Sequence, residues 1–158
     1  MYEYHDQYTR AHERGDVDAQ ARWARQLTWE VARHAVGEEI VVYPLMEQHL
    51  GQKGKQLADH DRQEHTVSSR SISSLRPSDA DGGTWVQSVK EKLYQLESLQ
   101  PGTVEYHELI TSIMESLHHH NDDEEIKDLP LLEPALGVEG SKQAALSFKK
   151  TKKLVPTR

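Results

Sequence analysis

His34-Ala35-Val36-Gly37-Glu38-Glu39-Ile40-Val41-Val42-Tyr43-Pro44-Leu45-Met46-Glu47 returns later in the same chain as His120-Asn121-Asp122-Asp123-Glu124-Glu125-Ile126-Lys127-Asp128-Leu129-Pro130-Leu131-Leu132-Glu133. The copies share His-x3-Glu-Glu-Ile and then x3-Pro-Leu-x-Glu, the second starting 86 residues after the first. A His and a Glu four apart on a helix lie one turn above each other on the same face. An imidazole nitrogen and a carboxylate are thereby brought within reach of one cation. Two such pairs on facing helices would give two nitrogens and two carboxylates able to bridge, the raw material of a dinuclear metal centre.

Outward from this repeat, helical periodicity decides which side chains face inward. Upstream, Asp16 or Asp18 is positioned to cap a long helix. Ala24, Leu27, Val31, His34, Ala35, Glu38, Val42 and Leu45 then fall within about 60° of one line at 100° per residue, with Glu39 at the edge. Pro44 is expected to bend or end this helix, and Gly51 to Gly54 to make the turn. Residues 2 to 13 read as a short amphipathic helix stopped near Gly15-Asp16. A third helix is expected from about Lys55, with Leu57, Ala58, Asp61, His65, Ser69 and Ile72 on one face and His60 pointing away.

Residues 68–83 are loop-like in composition, rich in Ser, Arg, Asp and Gly. Helix is expected to resume at Thr84-Trp85-Val86-Gln87, which has capping-box spacing, and to run through Leu93 and Leu96 to Leu99. Pro101-Gly102 turns the chain, and Thr103 can cap the last long helix. Its stripe is Ile110, Ile113, Met114, Leu117, Asn121 and Glu124. His120 lies about 60° off centre, while His118 and His119 lie further round. Pro130 and Pro134 are expected to close this segment, leaving a short helix and a basic tail over 137–158, solvated or docked. The bundle proper is expected to occupy 1–136.

Composition bounds the function classes. The 158 residues suit one domain; 35% are hydrophobic and 28% charged, as amphipathic helices require. No cysteine is present, which excludes disulfides, thiolate metal sites and cysteine nucleophiles. No apolar run approaches a membrane span and no signal pattern appears, so a cytoplasmic protein without membrane contact is expected. A net charge of −7 argues against nucleic acid as a partner. A single His-x3-Glu is usually a solvated pair. Two copies with matched flanks, each on an apolar stripe, point to a metal site instead. Asp61-x3-His65 repeats the spacing in reverse, and for that pair a surface role weighs as much as ligation; His5, on a short terminal helix, is weaker still.

These residues resemble the haemerythrin-like, or HHE cation-binding, proteins, and specifically their fungal branch. The resemblance rests on Thr28-Trp29-Glu30-Val31-Ala32-Arg33-His34 leading into Gly37-Glu38-Glu39-Ile40. It continues through Asp61-Arg62-Gln63-Glu64-His65, His120-x3-Glu124-Glu125 with Asp128-Leu129-Pro130, and the terminal Thr151-Lys152-Lys153-Leu154-Val155-Pro156-Thr157-Arg158. It implies an all-α, up-down four-helix bundle enclosing a non-haem di-iron centre. Residue by residue, it implies His34, His65 and His120 as nitrogen ligands and Glu38 and Glu124 as bridging carboxylates, with Asp61 and His5 as further candidates. Iron is the implied metal; by ligand type manganese or zinc would also fit.

Three departures from the family pattern stand out. The chain begins about where a first-helix Asp-His pair normally stands, and His5 is the available substitute. Asp61 occupies the place of a further histidine in the oxygen carriers, so a five-histidine carrier site is absent. Finally, 21 residues, Thr66 to Val86, separate His65 from a segment resembling the family's next one, Ser88-Val89-Lys90-Glu91-Lys92-Leu93-Tyr94. A retained intron and a mis-called first exon would explain both the insertion and the start. The expected function is a metal-binding module that binds dioxygen or senses oxygen or iron. A di-iron enzyme acting on oxygen, peroxide or nitric oxide is the alternative, and a degenerate metal-free bundle a third.

Overall fold

The computed structural model describes residues 1–65 and 89–154, except for the side chains of residues 63–65. The insertion 66–86, the helix start at 84–87 and the last four residues, 155–158, lie outside the described residues. The fold is all-α: α1 (Tyr2–Glu13), α2 (Val17–Gly37), a π turn (Glu38–Val42), α3 (Tyr43–His65), α4 (Val89–Ser98), α5 (Val104–Asp123), a second π turn (Glu124–Asp128) and α6 (Leu129–Leu154). No helix among the described residues is long and apolar enough to cross a membrane.

The ends of the helices follow from local chemistry. After α1, Gly15 takes φ 66°, and Gly15 N–H and Asp16 N–H donate to the carbonyls of His12 and Ala11 at 2.9 and 3.0 Å. This closes the helix on a left-handed glycine, as its missing Cβ permits. Asp16 then caps α2 by accepting from Ala19 N–H at 2.9 Å, and Thr103 caps α5 by accepting from Tyr106 N–H at 3.3 Å. α3 is two helices broken at Gly51 (φ 58°, ψ −132°). Gly54 completes this turn, because a Cβ there would lie 1.9 Å from the carbonyl oxygen of Met46.

The prolines behave differently from the expectation. Pro44 neither ends nor interrupts its helix, and Pro130 and Pro134 do not close theirs; the breaks fall at Gly51 and Gly137 instead. A proline lacks an N–H and its ring collides with the carbonyl four residues back in a regular α-helix. Here each repeat enters a π turn just before its proline. Tyr43 N–H donates to Glu38 O and Leu129 N–H to Glu124 O, each five residues back. The wider turn takes up the misfit, and the helix runs on.

α1 packs on α2, α4 packs on α5, and α3 touches α4. Two apolar clusters result. One gathers Tyr8, Leu27, Val31, Ile110, Ile113 and Leu117; the other gathers Tyr43, Met46, Ala58 and Leu132. Along both long helices the His-x3-Glu pair falls between a residue of the first cluster and a residue of the second. The repeat thus builds a polar layer inside an otherwise apolar interior.

The basic C-terminal segment is helix to Leu154 and folds back at Gly137 (φ 67°) onto α2. Lys152 Nζ donates to Glu30 Oε1 at 2.6 Å, and Arg33 bridges Glu30 and the carbonyl of Lys152. Phe148 stands over Gly37, where a Cβ would come within 2.7 Å of its ring.

Candidate metal centre

Glu38 is 1% exposed and lies one turn after His34, whose Nε2 is 2.5 Å from Glu38 Oε1. From α5 and its π turn come His120, 7% exposed, and Glu124, with His120 Nε2 3.6 Å from Glu124 Oε1. The two pairs meet: one ligand atom from each of His34, Glu38 and Glu124 lies within 4.8 Å of the others. His34 Nε2 and Glu124 Oε1 are buried, and their contacts to Glu38 and His120 lack hydrogen-bond geometry. Buried polar atoms in this state are strongly unfavourable unless something compensates them. One imidazole nitrogen and two carboxylates are suitable donors for a cation, so the residues present fit a metal ion.

The electrostatics agree with that fit. Burial first, and then the charges of Glu38, Asp61 and Asp128, push the Glu124 carboxyl up to about 8, with His120 acting in the opposite direction. Carboxylates crowded in a dry interior repel each other, and a cation removes the conflict. Asp61 is buried at 3% exposure on α3, close enough to act on both Glu124 and Tyr43. His65 closes α3 one turn after Asp61, and its side chain lies outside the described residues. His5 is elsewhere: its charged neighbours are Asp6, His118 and His107, and burial lowers its pKa. It is not among the three groups whose ligand atoms converge.

The neighbouring polar residues of the repeat face outward. The Glu39 side chain is 55% exposed and accepts from Arg62 Nε at 3.1 Å. The His119 side chain is 80% exposed, and His118 stacks on Tyr2 with ring centroids 4.4 Å apart. Two residues at the site escape the sequence reading. Tyr43 is fully buried, and burial, followed by the charges of Glu38, Asp61 and Glu124, raises its phenol well above the ordinary range. Phe148 sets its ring edge-on to His34, centroids 5.5 Å apart. A π turn adds one residue and so rotates the downstream helix by about 100°, which brings Tyr43 and Met46 inward in place of Val42 and Leu45. The proline six residues after each glutamate is the available signal for Tyr43; for Phe148 there is none.

Residues 1–132 match the family described as "Hemerythrin HHE cation binding domain". The chain belongs to this haemerythrin-like family. An uncharacterized hemerythrin-like protein of Schizosaccharomyces pombe is 42% identical over 142 residues, which cover 90% of this chain and 60% of that relative. The chain therefore spans about 60% of the length of the curated relative it matches. No solved structure matches it. Cation binding is the property of the family, and the His34, Glu38 and Glu124 cluster is a group of residues able to serve it.

Proposed function

We propose that this chain is a non-haem di-iron protein that binds dioxygen or senses oxygen or iron at the buried His/carboxylate layer. The observation that carries the reading is the meeting of the two repeat copies: His34, Glu38 and Glu124, from separate helices, offer ligand atoms within 4.8 Å. In this reading His34, His120 and His65 supply nitrogen, Glu38 and Glu124 bridge, and Asp61 offers a further carboxylate. A ferrous pair supplies the electrons that dioxygen binding draws on. The chain's own contribution is to hold the donors in place before the metal arrives. The two π turns begin at Glu38 and Glu124 and so place both carboxylates in the layer between the two apolar clusters.

Reconstitution with ferrous iron without oxygen, followed by admission of air, tests this. The expected result is bound iron and a visible absorption that reverses when oxygen is withdrawn. Sustained oxygen or peroxide consumption with an added reductant would assign an enzyme instead. A protein that retains no iron would overturn the reading.

A further inference from the structure

The fold-back of α6 at Gly137 borders a half-open cavity of about 360 Å³, a volume that metal binding alone does not require. Its floor is the polar layer: His34, Glu38 and Glu124 all line it. Its walls are apolar, built from Val42, Leu45, Leu132 and Leu136 on one side and Ala144 and Phe148 on the other. Among the described residues, Glu133 and Ser141 are the further polar side chains on the lining. A cavity with convergent polar groups at one end and hydrocarbon elsewhere is the usual form of a small-molecule site. At ~30 Å³ per water-sized group it has room for about a dozen non-hydrogen atoms. That is far more than dioxygen needs.

The roof of this cavity is held, not merely adjacent. Gly37 leaves space for the Phe148 ring, and Lys152 is tied to Glu30 at 2.6 Å one turn further along. The small residue Ala144 faces the space where a larger side chain would fill it. The chain thus keeps a volume open beside buried charged groups, with the small residues Ala144 and Ala145 on its lining.

We infer that this cavity binds a medium-chain carboxylate, its head at the metal layer and its hydrocarbon chain against Leu45, Leu132, Leu136 and Phe148. The inference rests on the metal-binding reading, because Glu38, Glu124 and Glu133 would repel an anionic head unless cations offset them. An oxygen-donor head suits a hard metal ion, and Leu45, Leu132, Leu136 and Phe148 offer a tail apolar contact. Each methylene buried is worth roughly fourfold in affinity, from about 0.8 kcal/mol per CH₂.

Titration calorimetry of the iron-loaded protein with acetate, butanoate, hexanoate and octanoate is the test, with iron content measured on the same samples. Octanoate is expected to bind at least about 50-fold tighter than acetate, the gain from burying about three of its six extra methylenes. Ala144→Trp, at a lining residue that is not itself a proposed ligand, is expected to abolish the gain with chain length, and the iron content of the same variant shows whether the metal layer is intact. Equal affinity for acetate and octanoate in iron-loaded wild-type protein overturns the inference and leaves the metal reading intact. Protein that takes up no iron overturns both, and the iron measurement tells the two failures apart.

Discussion

The Phe148 ring stands edge-on to the imidazole of His34, with centroids 5.5 Å apart, and Gly37 is the residue that lets it approach. An edge-on aromatic pair contributes about 0.5–1.5 kcal/mol beyond the area it buries. Phe148 is only partly buried, so Phe148→Ala is expected to lower stability by about 2 kcal/mol, less than a fully buried phenylalanine would cost. For a domain of this size that is a melting shift of roughly 4–8 °C. Gly37→Ala acts on the same contact from the other side, because the new Cβ would sit 2.7 Å from the ring. Thermal melting of the two variants checks both, and a melting temperature unchanged in both would mean that the C-terminal helix is not docked there.

Lys152 and Arg33 meet on Glu30, whose side chain is 12% exposed. Burial alone would raise the Glu30 carboxyl, but the hydrogen bonds and charges of Lys152 and Arg33 outweigh it and hold it below the ordinary range. A carboxyl depressed in the folded state contributes stability that is present above its unfolded pKa and lost as pH falls through the folded one. Glu30→Gln is therefore expected to cost about 1–3 kcal/mol at neutral pH. The cost is expected to be full above the ordinary carboxylate range and to shrink as pH falls below that range toward the depressed folded value. Denaturant melts of both proteins across that range measure it; a cost independent of pH would mean the ion pair contributes nothing.

What the sequence makes legible ends where the helix stops being regular. The caps at Asp16 and Thr103, the left-handed stop at Gly15 and the inward phase of Leu27, Val31, His34 and Glu38 follow from local chemistry and a period of 3.6. Beyond Glu38 the same period predicts Val42 and Leu45 as core, yet Tyr43 and Met46 are the fully buried residues. The cause is the π turn, whose hydrogen bond from Tyr43 to Glu38 is invisible to a periodicity argument. Pro44 and Pro130 mislead for the same reason. The docking of 138–154 is a tertiary effect: its amphipathicity is weak, and only the partners Glu30, His34 and Gly37 explain it.

His12 and His107 stack with ring centroids 3.7 Å apart and 4° between planes, joining α1 to α5. The Tyr8 hydroxyl lies 3.4 Å from His107 Nδ1, and His5, His118, Asp6 and Glu108 complete the surroundings. Burial first, then His12, lowers the His107 pKa, with Glu108 opposing. For a base depressed in the folded state, the charged form is disfavoured by folding. Stability is therefore full above the unfolded value near 6.5 and declines as pH falls through the folded one. Between pH 7.5 and 5.5 His107 is expected to lower the melting temperature, against the gain that protonation of the raised Glu124 carboxyl brings, and His107→Phe, which keeps the stack without a proton to gain, is expected to flatten the His107 fall. An equally steep fall in the variant would move the effect to other groups.

Within the run His118-His119-His120, only His120 is buried and shares its side with Glu124. His120→Ala is expected to reduce bound iron by about tenfold or more, as loss of a group supporting a metal site does. His119→Ala is expected to leave it unchanged. Elemental analysis after ferrous loading and desalting distinguishes them, and equal losses would place the ligand outside this helical phase.

The central claim is that Glu38 and Glu124, brought together from the two copies of one repeat, share a pair of metal ions. Its most direct test is the iron stoichiometry of protein loaded without oxygen, in the wild type and in Glu38→Gln and Glu124→Gln, which keep side-chain size and remove the charge. The account predicts two irons per wild-type chain and a clear loss of dinuclear loading in each variant. Two irons per chain in both variants, or none in the wild type, would contradict it.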